Sequence, residues 1–147
     1  MKLYFHVDKL PINGYNNVNL ATDSLNLNNL DSICERSEAT EIILDEILGY
    51  INYNQIQPLL LQFITRLRFR GKIIIQDTDI TQSLNMYHNG LISLSDLNSI
   101  LYGTGKIRKC SCFSMLDIDK IVVEGRLQIE SFEINSSKFI LIAKRTL

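Results

Sequence analysis

Apolar residues along this chain fall into short unbroken runs and into stripes at helical spacing. Residues 2–7 and 15–20 read as strands on either side of a turn carrying Pro11, Asn13 and Gly14, residue types that punctuate a chain. Residues 21–29 are polar and Asn-rich and read as loop, followed by one helical turn over 30–34. Ile42-Ile43-Leu44 within 41–44, and Ile73-Ile74-Ile75 within 72–76, have the form of adjacent parallel strands buried on both faces. Between them Ile56, Leu59, Leu60, Phe63, Ile64 and Leu67 recur three and four apart, the stripe of an amphipathic helix. Asn52 or Asn54 would cap it, Pro58 falls in its first turn, and Gly71 would end it. Arg66, Arg68 and Arg70 would then face the negative end of its dipole.

Asp79 can cap a short helix reaching Tyr87, which Asn89-Gly90 breaks. Ser93 with Asp96, three residues on, has the form of a capping box before a helix carrying Leu94, Leu97, Ile100 and Leu101. Ser114 starts another helix, closed by Gly125. Residues 126–134 and 138–143 read as an antiparallel hairpin around Asn135-Ser136-Ser137. This order implies an α/β domain spanning 1–147: a mostly parallel central sheet with helices on both faces and a C-terminal antiparallel hairpin.

Composition narrows the class. An apolar share of 46% with 21% charged residues excludes a disordered chain. No apolar stretch approaches the ~18 residues of a membrane span, and the first residues lack a signal-peptide core, so the expected location is cytoplasmic, away from any membrane. A net charge of -1 argues against nucleic acid as a partner. Residues 1–60 carry 8 acidic and 3 basic side chains, a balance of -5, and residues 61–147 carry 8 acidic and 12 basic, a balance of +4. That asymmetry, with the apolar hairpin, favours a protein partner or self-association into an oligomer.

Several groups could carry chemistry. Asp45 and Glu46 follow one buried strand, and Asp77 and Asp79 the next, at the strand ends where open α/β sheets bind ligands. With His6 and Asp8 at the first strand they could form an acidic pocket for a divalent cation or an acid–base pair. The bland alternative makes Asp79 a helix cap and Asp45 and Glu46 solvated loop groups. Lys106, Arg108 and Lys109 form a basic cluster suited to phosphate or a polyanion, as does the run Arg66, Arg68, Arg70 and Lys72. Cys34, Cys110 and Cys112 lack the paired spacing of a zinc site and read as buried, inert thiols; no metal is expected.

The element order resembles the class I S-adenosylmethionine-dependent methyltransferase fold, whose sheet ends in such a hairpin. The likeness is to small methyltransferase-like proteins of bacteria and phages, in which a first strand of the type K-L-x-L-G-x-G precedes G-Y-x-N-V-D. The matching text is Lys2-Leu-Tyr-Phe-His-Val-Asp8 and Gly14-Tyr-Asn-Asn-Val-Asn-Leu20, continuing through Ala39-Thr-Glu-Ile-Ile-Leu44 and Leu67-Arg-Phe-Arg-Gly-Lys-Ile-Ile-Ile75. By position, the resemblance implies that His6, Asp8, Asn19, Asp45 and Glu46 border the cofactor site. It also implies a phage virion, or host cytoplasm, as a location if the chain is phage-encoded.

The sequence departs from the family where chemistry belongs. The first loop has no glycine before Gly14, Asn19 replaces the acid that holds the ribose hydroxyls, and the family's His-x-Leu-Glu-His is matched by Asp45-Glu-Ile-Leu-Gly-Tyr50. The expectation is therefore a methyltransferase-like pseudoenzyme with a degenerate S-adenosylmethionine site, acting as an interaction, structural or accessory module. The alternative is an active methyltransferase acting on a small molecule or glycan.

Overall fold

The computed structural model describes residues 1–146; Leu147, the last residue of the expected 1–147 domain, lies outside the described residues. Six strands form one mixed sheet: β1 (Lys2–His6), β2 (Asn16–Asn19), β3 (Ala39–Asp45), β4 (Leu67–Thr78), β5 (Leu127–Asn135) and β6 (Lys138–Arg145). Their order is β2-β1-β3-β4-β6-β5. The first four run parallel, while β6 pairs antiparallel with both β4 and β5, so the expected hairpin closes the sheet. The helices are α1 (Leu30–Ile33), α2 (Tyr53–Arg66), α3 (Ile80–His88), α4 (Leu94–Tyr102) and α5 (Met115–Glu124), with a 3-10 turn at Leu48–Tyr50.

Local caps place α3, α4 and α5 as the sequence implies, whereas Asn52, at the start of α2, makes no side-chain cap hydrogen bond. The Asp79 carboxylate accepts from the N–H groups of Thr81 and Gln82, and complete capping boxes start α4 (Ser93 with Asp96) and α5 (Ser114 with Asp117). The helical stripe of α2 packs onto β1: Phe63 meets Phe5 edge-on at 4.8 Å, and both are fully buried. Leu30 of α1 and Ile118 and Val122 of α5 join the same core, with Leu3, Ile42, Leu44, Ile73, Ile75, Phe139 and Leu141 from the strands.

Burial alternates along β3, β4 and β6, which corrects the expectation of burial on both faces for the Ile-rich runs, whereas β1 is buried on both faces from Leu3 to His6. Ile42, Leu44, Ile73 and Ile75 are buried, whereas Ile43, Ile74, Ile140 and Ile142 on the opposite face are half-buried. Strand side chains point to opposite faces in turn, so the apolar runs put every second Ile on the less covered side. The hairpin's apolar surplus divides likewise: Phe139 and Leu141 are core, and Phe132 and Ile134 of the edge strand are exposed.

Gly71 does not end α2. The helix stops at Arg66, and Leu67 already has extended backbone with its side chain in the core. The ladder between β3 and β4 breaks after Ala39–Leu67 and resumes at Glu41–Lys72, so Arg68, Phe69 and Arg70 bulge outward and are exposed. A side chain at Gly71 would place its Cβ 2.9 Å from the carbonyl oxygens of Ala39 and Arg68, which is why glycine stands inside the strand. The expected basic run is thereby split: Arg66 is buried and bonded to Asp31, away from the exposed Arg68 and Arg70. Of the three thiols only Cys34 is buried, its pKa pushed up to about 11 by burial and by Glu38; Cys110 and Cys112 are exposed, contrary to expectation. No helix among the described residues is long and apolar enough to cross a membrane.

Candidate functional site

The carboxyl ends of β1, β3 and β4 open onto a cleft of about 390 Å³, walled on its far side by the end of α4 and the loop after it. Asp8, Asp45 and Glu46 line this cleft, as their positions imply; His6 and Asn19 do not. Lys106 and Lys109 of the expected basic cluster line it too, without Arg108, and so do Lys9, Tyr50 and Lys138, which sequence reasoning missed.

The turn after β1 is held down by Asn19. Its Oδ1 accepts from the N–H groups of Asp8 and Ala21, each at 3.0 Å, and its Nδ2 donates to Asp8 Oδ1 at 3.1 Å. The turn is tight: Asp8 has φ 48°, a left-handed conformation that Asp tolerates better than most residues. His6 lies beneath it, 3% exposed, stacked on Tyr4 with ring centroids 4.8 Å apart. Its Nδ1 accepts from the Lys9 N–H at 3.1 Å, so the imidazole serves as a neutral acceptor, and burial lowers its pKa. No helix follows β1, and residues 7–15 pass directly to β2.

Lys9 then reaches across the strand ends. Its Nζ lies 2.5 Å from Asp45 Oδ1 and 2.7 Å from Glu46 Oε2, bridging the first and third strands. Tyr4 donates its hydroxyl to the other Asp45 oxygen at 2.8 Å; burial and that carboxylate push the phenol up to about 12. Lys138, at the start of β6, pairs with Glu46 at 2.5 Å. Burial resists ionisation of Glu46, yet the two ammonium groups hold its carboxyl below the usual range. The three acids of the cleft are therefore all engaged by neighbours, two by cations and Asp8 by Asn19.

Asp77 and Asp79 do not join them. Asp79 caps α3 and also accepts from the Met115 N–H at 3.1 Å, tying α3 to α5. Asp77 is buried below the cleft, accepting from the N–H groups of Thr78 at 2.8 Å and Leu48 at 3.0 Å. The expected pocket of converging carboxylates does not form. Among the described residues no group of three His, Cys, Asp or Glu side chains is placed to hold a metal ion.

No family model matches the sequence, and no curated protein matches it. Solved structures do match. An O-methyltransferase family protein from Burkholderia thailandensis superposes with a TM-score of 0.60 at 12% identity, over 90% of this chain and 36% of its own. A SAM-dependent methyltransferase from Methanosarcina mazei gives 0.58 at 12% identity, over 90% of this chain and 67% of its own. The fold is methyltransferase-like. The magnesium protoporphyrin IX methyltransferase of Synechocystis PCC 6803, with bound SAH, gives 0.53 at 15% identity, over 89% and 50% of the two chains. The methyltransferase-like domain thus spans from about a third to two thirds of the length of these neighbours, and identities this low speak for the fold alone.

Proposed function

We propose that this chain is a methyltransferase-like module that does not hold S-adenosylmethionine in the manner of the enzymes it resembles, and that works through contact with another protein. The observation carrying this reading is the Lys9 bridge to Asp45 and Glu46, which engages the carboxylates at the end of β3 with the chain's own side chain. Two further features support it. The Asn19 side chain, at the position that would receive the ribose hydroxyls, is spent on the Asp8 turn. No helix follows β1, so no helix N-terminus stands at the end of that strand. Methyl transfer needs two reactants held in line more than it needs an acid or base, so loss of the cradle matters most. In calorimetry, S-adenosylhomocysteine should show no saturable binding below about 1 mM, a binding free energy no stronger than about -4 kcal/mol. A micromolar dissociation constant, weakened by Asn19→Ala, would instead establish the active methyltransferase, acting on a small molecule or glycan.

The partner surface we assign is the β5 edge, and the occupant a second copy of this chain. Strand β5 is paired only with β6, and Phe132 and Ile134 are exposed on it, 57% and 44%. Glu130, which would repel a like strand, is neutralised by Lys72 at 2.9 Å and Lys144 at 3.9 Å. Light scattering over a concentration series should show a dimer that Phe132→Glu dissociates. A monomer mass at every concentration would exclude it.

A further inference from the structure

We propose that the cleft binds a phosphate monoester of nucleotide size, its phosphate at the end formed by residues 103–109; this rests on the reading above that the cleft is not a family-type cofactor site. The charge balance of the cleft points there: its lining carries four ammonium groups, Lys9, Lys106, Lys109 and Lys138, against three carboxylates, Asp8, Asp45 and Glu46. Asp45 and Glu46 are neutralised by Lys9 and Lys138. Lys106 and Lys109 line the same cleft and form no ion pair among the described residues. Lys106 has no hydrogen-bond partner there, and the Lys109 ammonium bonds only neutral oxygens, Thr78 Oγ1 at 3.3 Å and the Ile100 carbonyl at 3.2 Å. Two cations without a carboxylate partner thus border one concavity.

The backbone between α4 and α5 adds donors. None of the N–H groups of residues 104–108 bonds to another described residue, although the Gly103 N–H before them bonds Ser99 and the Lys109 N–H after them bonds Tyr102. Gly103, at φ 76°, turns the chain out of α4 toward the cleft, and Gly105 leaves the backbone uncovered two residues on. Free N–H groups beside ammonium groups are the donor set of a phosphate cradle. Val7, Tyr50 and Ile100 also line the cleft and offer walls for an uncharged body. Its volume of about 390 Å³ lies within the range of small-molecule sites.

Uridine 5′-monophosphate is the probe, because it carries the phosphate without the adenine of the methyltransferase cofactor; uridine is its uncharged control. Titrations at low ionic strength should show saturable binding of the nucleotide, none of uridine, and competition by inorganic phosphate. Lys106→Glu, at an exposed residue, should weaken the nucleotide by about tenfold or more, while Lys120→Glu, exposed on α5 outside the cleft, should leave it unchanged. Absence of saturable nucleotide binding, equal binding of uridine, or equal weakening by both variants would overturn the proposal. A parallel titration with S-adenosylhomocysteine separates the two readings. Micromolar binding there would remove the non-cofactor reading, while the nucleotide arm alone decides the phosphate site.

Discussion

Replacing Phe63 with Ala should cost about 3–5 kcal/mol of stability. Phe63 is fully buried on the inner face of α2, and its ring meets Phe5 of β1 at 4.8 Å and 68°. Truncation would remove the transfer energy of the ring, leave a cavity bordered by β1, and forfeit an edge-on aromatic pair worth a further ~0.5–1.5 kcal/mol. Ile74→Ala is the matched comparison. Ile74 lies in the middle of β4 but points to the opposite, half-covered face, so its truncation should cost about 1 kcal/mol. Urea denaturation of the three proteins checks both figures. Equal losses at the two positions would mean that the outer face of the sheet is packed against something in solution, and the one-sided core described here would be wrong.

Asp77 should make the protein less stable as pH rises from about 4 to about 6. Its carboxyl is buried and forms no ion pair among the described residues. Burial pushes its pKa up to about 6 from 3.8, although the Thr78 N–H, the Lys109 charge and the Leu48 N–H all favour the anion. A carboxyl whose pKa is higher folded than unfolded binds more protons in the native state between those values. Stability then falls with rising pH across that window and is level above it. The difference of about two pKa units corresponds to about 3 kcal/mol. Glu46 works in the opposite sense: its lowered pKa contributes stability above the ordinary carboxylate range that is lost as pH falls. The Asp77 contribution is therefore read as the difference between wild type and Asp77→Asn in urea midpoints at pH 4, 5, 6 and 7. That difference should shift steadily in favour of the Asn variant up to pH 6. A constant difference would show that Asp77 ionises as it does in water.

The buried aspartate also explains the shape of the cleft. Asp77 holds the Leu48 N–H, so it ties the 3-10 turn after β3 to the end of β4. That turn carries Tyr50, and the Gly49 carbonyl accepts from the N–H groups of Cys110 and Ser111. One buried carboxylate thus links the β3 end of the cleft to the segment that follows its proposed phosphate loop.

What the sequence by itself determined was local. Apolar runs and stripes located the strands and α2, and side chains within three residues of a helix start capped α3, α4 and α5, because such signals act through the nearest backbone groups. The α2–β4 junction was not legible. Gly71 has the look of a helix stop, but it is the carbonyls of Ala39 on the partner strand and of Arg68 in the bulge that leave no room for a side chain there. The same division runs through the site. Asp8, Asp45 and Glu46 were found from their places at strand ends, since a parallel strand followed by a turn delivers its next residues to the same edge of the sheet. That Lys9 and Lys138 would neutralise two of them, that Asn19 would be spent on a turn, and that Lys106 and Lys109 would be left without acids depended on strand order. Residues far apart in the chain meet only when β1, β3, β4 and β6 lie side by side, and charge pairing is a property of that juxtaposition, not of any segment.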